Sequence, residues 1–236
     1  MKALKFTLKG KTAFFKVPEV NEYCYFTYGN IHKPVLLGIF GAILGYNGYS
    51  RQKQSEDYPE YYTKLHGLKI SIVPESKHGY FYKKIQSFNN SVGYASGEQG
   101  GNLIINEQWL ENPCWTIYVQ LGDKEALKLT QMMRERKCVY MPYLGTNDHP
   151  AAIENVQEIH LEKIDAEELQ IQSLALSEKL QFDLEEMSFK YEEYLPLSLD
   201  KITNCYQIKK FILTDAPLEE ANTEIYTDGE KNLVFY

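Results

Sequence analysis

The sequence predicts an α+β fold over residues 1–150, followed by a second region that is rich in β-strands. Two observations support this prediction. Strand-like and helix-like apolar patterns alternate over residues 1–150, whereas residues 151–236 contain short alternating segments and a turn signal at Asp228-Gly229. The chain has 236 residues and a hydrophobic fraction of 44%, which is sufficient for a sizeable core.

A local signal indicates each element of the first region. Ala3–Leu8 alternates as a strand does and is followed by Gly10. Asp123 is a suitable N-cap for a helix in the segment KEALKLTQMMRERK, which has basic residues at its end. Apolar patterns and flanking Pro and Gly residues predict a helical turn and three further strands: Pro59–His66, Leu68–Val73, Trp115–Leu121 and Cys138–Tyr143.

The first full helix is predicted within YFTYGNIHKPVLLGIFGAILGY, residues 25–46, with Asn30 as its N-cap. Pro34 then falls in the first turn, where a missing amide hydrogen is tolerated. Three glycines at spacings of three and four share one helical face, which allows another backbone to approach closely: Gly38, Gly41 and Gly45. Gly45 is also placed to end the helix.

His32 and Lys33 lie beside the unpaired amides at the predicted helix start. Because the helix dipole favours an anion there, one prediction is a phosphate site. The alternative is a close-packed helix with a His-Lys pair on its surface.

Together these elements run strand, helix, strand, excursion, strand, helix, strand, which is the βαββαβ order of a ferredoxin-like or RRM-like sheet. The excursion consists of Tyr80–Phe88 and Leu103–Ile105 around the segment NNSVGYASGEQGGN. Its turn residues predict a flexible or hairpin-like insertion.

Charge is unevenly distributed along the chain. The formal net charge of −7 argues against a free-standing nucleic-acid binder. The residues before Glu19 nevertheless include no acid and five lysines, whereas the stretch Glu154–Glu193 is strongly acidic. This uneven charge suggests that the basic segment binds a polyanion locally within a larger assembly. The alternative is that the basic and acidic segments are simply two solvated surfaces.

Metal, disulfide and membrane functions receive no support. The four cysteines form no CxxC pair, and no signal-peptide pattern is present at Met1–Leu8. The longest apolar run, Val35–Leu44, is about half of a membrane span. We therefore expect a reduced, cytoplasmic protein without cofactor or metal.

Four blocks of the sequence resemble one family: KALKFTLKGKTAFFKVPEVN, YFTYGNIHKPVLLGIFGAILGY, NLIINEQWLENPCWTIYVQLGD and CVYMPYLGTNDHPA, within residues 2–152. They are similar to Cas family 5, the RAMP-superfamily subunit of CRISPR effector complexes, in its type I-B form. The resemblance implies a ferredoxin-like domain (residues 1–150) that caps the 5′ handle of the guide RNA (crRNA). It also implies contact with the large subunit and the terminal backbone subunit, and with target DNA only through the complex.

The family commonly carries a protruding hairpin, the thumb, and the excursion at about residues 77–105 is its best candidate here. Residues 151–236 are then an acidic accessory region. Single-stranded RNA is held by lysines on phosphates and aromatic rings on bases. The RNA-binding residues expected on these grounds are the following: Lys9, Lys11, Phe14, Lys16, Asn30, His32, Lys33, Lys83, Lys84, Tyr143, Asn147 and His149.

We expect no catalysis. Type I-C members of the family cut precursor RNA with tyrosine, lysine and histidine, but neither His32-Lys33 nor Lys77-His78 repeats a spacing that transfers such a role. No HExxH, P-loop or GxSxG motif is present. Two alternatives remain open: a metal-independent endoribonuclease, and a protein scaffold that uses the glycine-bearing helix face for docking.

Overall fold

The computed structural model describes residues 1–19, 22–91, 93–94, 97–165, 169–183, 185 and 187–236. Its helices are α1 (Lys33–Leu44), α2 (Glu60–Leu65) and α3 (Lys124–Arg134). Its strands are β1 (Lys2–Lys9), β2 (Thr12–Ala13), β3 (Ile70–Pro74), β4 (Lys83–Asn89), β5 (Ile104–Glu111), β6 (Cys114–Gln120), β7 (Ala152–His160), β8 (Glu162–Ile164), β9 (Ala175–Leu176), β10 (Leu180–Phe182), β11 (Lys190–Leu199), β12 (Tyr206–Thr214), β13 (Leu218–Ala221), β14 (Ile225–Thr227) and β15 (Asn232–Val234).

A four-stranded antiparallel sheet with the order β3-β6-β1-β7 organises the first region. One face of the sheet carries alternate apolar residues of its strands, such as Phe6 and Ile117, and packs against α1 and α3 in one core. The opposite face contributes Ala3, Val73 and Tyr118 to a smaller cluster with Leu233 of β15. The C-terminal region therefore covers part of the second face.

The prediction of a strand at Cys138–Tyr143 is wrong, because these residues, all within the described part of the chain, form no strand. The amides of Val139 and Tyr140 instead donate to the carbonyl oxygens of Ile43 and Ala42 near the end of α1. Terminal carbonyls of a helix lack intrahelical partners, so they take up the backbone of this apolar segment. The fourth strand of the sheet is β7, which pairs with β1. The sheet thus extends to residue 160, past the boundary expected at residue 150.

The two predicted helix N-caps have different outcomes. Asp123 caps α3, since its Oδ1 accepts a hydrogen bond of 2.8 Å from the amide of Ala126. The prediction of Asn30 as the cap of α1 is wrong, because the cap position is His32. Gly45 ends α1 as predicted, in the left-handed conformation with φ of 77°.

The excursion forms an antiparallel hairpin of β4 and β5, and β5 also pairs with β2. Val92, Ala95 and Ser96 of the predicted thumb lie outside the described residues, as do Glu167, Glu168 and Glu186 of the acidic stretch.

The C-terminal region contains two three-stranded sheets, β11-β12-β9 and β15-β14-β8, and the pair β10-β13. Leu195, Phe211 and Tyr236 belong to the same core cluster as α1, so this region packs directly on the first. No helix in the described part of the chain is long and apolar enough to cross a membrane. The described residues also contain no group of three or more His, Cys, Asp or Glu residues suited to a metal ion.

Candidate nucleic-acid interface

The loop that follows Pro142 is hydrogen-bonded to the segment around β2. The amide of Phe14 donates to the carbonyl of Leu144 at 3.0 Å, and the amide of Leu144 donates to the carbonyl of His149 at 2.7 Å. Gly145 has a φ of 98°, and a Cβ there would overlap the carbonyl oxygen of Phe14. Only glycine combines this backbone conformation with this close approach. The loop is therefore held against the N-terminal segment.

This arrangement forms an open groove of about 1000 Å³, here called the lysine groove. Lys9 and Lys11 lie on one wall, Lys84 of β4 on another, and Asp148 and Pro150 contribute the loop wall. Three of the predicted RNA-binding residues, Lys9, Lys11 and Lys84, therefore lie together.

Two of the three groove lysines lie in ion pairs at the protein surface. Lys9 pairs with Glu154 at 2.8 Å, and this hydrogen bond raises the pKa of Lys9. Lys84 lies 3.6 Å from Glu111. Lys11 is exposed and makes no ion pair within the described residues. Exposed pairs of this kind contribute little free energy, so a phosphate can replace the carboxylate partner.

An aromatic side chain that the sequence analysis missed lies next to these lysines. Trp109 of β5 is the cross-strand partner of Lys84, and its ring centroid is 5.9 Å from the lysine Nζ. Residues opposite each other in an antiparallel pair share a face, so aligning the two strands would have identified Trp109. The alignment was not available from sequence because the long turn between the strands leaves their register open.

His149 supports the groove from within. Its Nδ1 is 2.6 Å from Thr12 Oγ1, and its ring meets the edge of Trp109 at 4.6 Å between centroids. The side chain is buried, and burial lowers the pKa of His149. His149 is buried and does not line the groove, and its role as an RNA contact stays a prediction. Asn147 of the same loop is exposed.

Three further predicted RNA contacts are also buried. Phe14 is part of the buried core. Asn30 is fully buried, where its Nδ2 donates to the carbonyl of Gly79 and its Oδ1 accepts from Trp115 Nε1. These bonds explain why Asn30 does not cap α1. The third is His32.

His32 lies among three aromatic rings, those of Phe15, Tyr28 and Tyr206, at centroid distances of 6.2, 5.2 and 5.2 Å. Burial lowers the pKa of His32 to about 3, so the ring is neutral at pH 7. Its Nδ1 has no hydrogen-bond partner within the described residues. The start of α1 therefore carries no histidine cation, and the phosphate site predicted from the His32-Lys33 pair is not formed by both residues.

Lys33 lines another groove, where its Nζ donates at 3.2 Å to a backbone oxygen of Tyr236, the last residue of the sequence. It shares no groove with Lys9, Lys11 or Lys84. Tyr143 is 45% exposed and lines a third groove, of about 650 Å³, along the exposed side of α1.

Lys16 and Lys83 lie at the base of the β4–β5 hairpin. The segment around Tyr25 bonds to β5, since the amide of Tyr25 donates to the carbonyl of Asn106. Lys16 Nζ lies 3.9 Å from the centroid of the Tyr25 ring, and Lys83 Nζ donates to the carbonyl of Thr27 at 3.4 Å. The hairpin base thus presents cations beside exposed aromatic rings, among them Tyr82, which is 74% exposed.

The glycines of α1 have three different environments. A Cβ at Gly41 would lie 2.6 Å from Cβ of Tyr61 in α2, and one at Gly45 would meet Val139. A Cβ at Gly38 would have no neighbour within 4 Å. The sequence predicts the close approach of another backbone to this face, but the neighbours are side chains, and they lie close at Gly41 and Gly45 only.

No known family model and no curated protein matches the sequence. Solved structures do share its fold. A chain of a CRISPR RNA-guided surveillance complex aligns with a TM-score of 0.56 and 11% identity over 91% of each chain. A CRISPR protein from Archaeoglobus fulgidus aligns with a TM-score of 0.51 and 8% identity, over 99% of this chain and 98% of that chain. The protein thus has a mixed, strand-rich α and β fold that is also found in CRISPR proteins.

Proposed function

We propose that this protein is a non-catalytic subunit of a type I-B-like CRISPR RNA-guided complex that caps the 5′ handle of the guide RNA. In this proposal β1, α1, β3, β6, α3 and β7 are the ferredoxin-like RAMP domain and the β4–β5 hairpin is its thumb. The proposal rests on the sequence resemblance and on the shared fold. The single observation that carries it is the lysine groove beside the hairpin base.

The groove suits single-stranded RNA chemically. Lysine ammonium groups follow a phosphodiester backbone as point charges, and aromatic faces stack with unpaired bases. Lys9, Lys11 and Lys84 supply the cations, Trp109 supplies a ring beside Lys84, and Tyr82 is an exposed ring at the hairpin base. A chain with net charge −7 does not bind RNA through its overall charge, so binding requires a local cluster of lysines, which the groove supplies beside the acidic Glu111 and Asp148.

The absence of a histidine among the described residues that line the groove favours a cap over a nuclease. Metal-free RNA cleavage requires a base near the 2′-OH and an acid near the leaving oxygen. Among the described residues that line the groove there is no histidine, and the supporting His149 has its free Nε2 buried. His78 lies elsewhere, with its ring 4.9 Å from that of Phe189.

The acidic C-terminal region is proposed to face protein neighbours, which in this assignment are the large subunit and the terminal backbone subunit. Target DNA is then contacted only through the assembled complex.

Charge reversal tests the proposal. The purified chain is titrated with a fluorescent repeat-derived RNA in EDTA, and Lys11→Glu is compared with Lys53→Glu, an exposed lysine outside the groove. We expect Lys11→Glu to weaken binding about tenfold and to reduce the salt slope by about one, while Lys53→Glu matches the wild type. Equal affinity of both variants refutes the groove assignment. Cleavage of the RNA in EDTA refutes the non-catalytic assignment and favours the endoribonuclease.

A further inference from the structure

A groove that shares no lining residue with the lysine groove lies between the start of α1, the end of α2 and the C-terminal region. Its volume is about 500 Å³, and Lys33, Lys69 and Lys179 line it. We call it the cationic pocket. No Asp or Glu side chain among the described residues lines it, although the chain as a whole is acidic.

The three lysines form no ion pair with an Asp or Glu side chain among the described residues. Lys33 is half-buried, and its Nζ donates to a backbone oxygen of Tyr236, the last residue of the sequence. Burial, together with the charge of Lys69, lowers the pKa of Lys33 to about 8. Lys33 and Lys69 are thus close enough to repel each other, and a bound anion would stabilise both charges.

Neutral hydrogen-bonding groups complete the lining. Ser198, Asn222 and Thr223 are all present in it. Several are fixed by the fold: the amide of Asn222 donates to the carbonyl of Lys179 at 2.8 Å, and Ser198 Oγ donates to Gln207 Oε1 at 2.8 Å. The pocket is therefore largely preformed, which reduces the ordering entropy lost on binding.

We propose that the cationic pocket binds a phosphate group, as a second anion site of the protein separate from the lysine groove. Three lysines that line one pocket suit a multiply charged, compact oxyanion, for which lysine acts as a point charge. The concave shape and the volume of the pocket favour a phosphate-bearing small ligand or one nucleotide unit over an extended acidic peptide. The inference does not depend on the proposed guide-RNA function, because the two sites have no residue in common.

The test uses the full chain with three probes: inorganic pyrophosphate, adenosine monophosphate and a short single-stranded RNA with a 5′-phosphate. Binding is measured by calorimetry for the wild type, for Lys33→Gln combined with Lys69→Gln, and for Lys53→Gln combined with Lys124→Gln as the control with the same charge change, because both control lysines are exposed and line neither groove. We expect the Lys33/Lys69 variant to bind pyrophosphate at least tenfold more weakly and the control to match the wild type.

A second measurement does not depend on the folding of a variant. Nitrogen-15 NMR of the lysine side chains in the wild-type protein follows the pKa of Lys33, which we expect to rise when pyrophosphate is added.

Comparison of the three probes identifies the source of the phosphate. Equal affinities assign the pocket to a free phosphate-class anion, and binding of the RNA at least tenfold tighter, lost in the Lys33/Lys69 variant, assigns it to nucleic acid. The inference is overturned if the pKa of Lys33 does not change with any of the three probes, or if the Lys33/Lys69 variant binds pyrophosphate as tightly as the wild type. Loss of RNA binding in Lys11→Glu with pyrophosphate binding retained would separate the two sites.

Discussion

Two glycines of α1 provide a matched pair of alanine substitutions whose effects on stability should differ. Gly38 and Gly41 both lie inside the helix, one turn apart. Alanine in a helix interior is favoured over glycine by about 1 kcal/mol, because glycine loses more backbone entropy on folding. This gain applies equally to Gly38→Ala and Gly41→Ala. The difference between the two variants therefore reports what each new methyl group meets.

At Gly38 the new methyl group has no neighbour within 4 Å, so the propensity gain is retained and unfolding free energy should rise by up to about 1 kcal/mol. At Gly41 the methyl group lies 2.6 Å from Cβ of Tyr61, and a backbone-attached Cβ cannot rotate away. Overpacking of this kind costs about 1–3 kcal/mol, which offsets or exceeds the gain. Gly38→Ala should thus be more stable than Gly41→Ala by about 1–3 kcal/mol.

The assay is equilibrium unfolding in urea, followed by tryptophan fluorescence and far-UV circular dichroism at the same concentrations. Coincident curves and equal m-values are needed for the free energies to be comparable. Equal stability of the two variants would refute the close contact between α1 and α2. A destabilised Gly38→Ala variant would show that the exposed side of α1 is covered.

Three further variants test other parts of the structure. Gly145→Ala should lose at least about 2 kcal/mol in urea unfolding, because its φ of 98° and the carbonyl of Phe14 exclude a Cβ, and a variant as stable as the wild type contradicts the loop geometry. His32 binds a proton below pH 6.5 in the unfolded chain but only near pH 3 in the folded one, so stability is lost as pH falls. Between pH 7 and pH 5 the wild type should lose about 2 kcal/mol of unfolding free energy through His32, and His32→Phe should not show this loss. The exposed control His160→Gln should show the same loss as the wild type. Asp123→Ala should destabilise by about 1 kcal/mol through the lost cap of α3, measured by thermal unfolding, and no change would contradict the capping bond.

Elements with complete local signals could be predicted from the sequence. The segment Ala3–Leu8 alternates loosely and lies within the strand Lys2–Lys9, and α3 has a capping aspartate at its start. The hairpin is indicated by the turn-rich segment between β4 and β5. In each case neighbouring residues alone determine the structure, so no distant partner is needed to recognise it.

The fourth strand could not be predicted, for two physical reasons. Val139 and Tyr140 look like part of a strand, yet their amides are taken by carbonyls near the end of α1. In β7 the pairing with β1 shifts register between Lys5 and Thr7, and Asn155 adopts a positive φ of 54°. This irregularity interrupts the apolar alternation by which a strand is recognised.

The candidate site was predictable only in part. Lys9 and Lys11 are neighbours in sequence, and their exposure follows from the turn between β1 and β2. The burial of Asn30 depends on Trp115, which is 85 residues away in the chain, and that of His32 depends partly on Tyr206. Local sequence does not contain such contacts, so it predicts an RNA contact at a helix start where the structure has a buried polar residue.

Photochemical cross-linking tests the central claim most directly. A guide RNA with a single 4-thiouridine in its 5′ handle is irradiated with the wild-type chain, and the attached peptides are identified by mass spectrometry. The account predicts attachment to peptides that contain Trp109, Tyr82 or Lys11, and its loss in the Lys11→Glu variant. Attachment confined to strands away from the lysine groove, such as β11 and β12, would contradict the proposed path of the RNA.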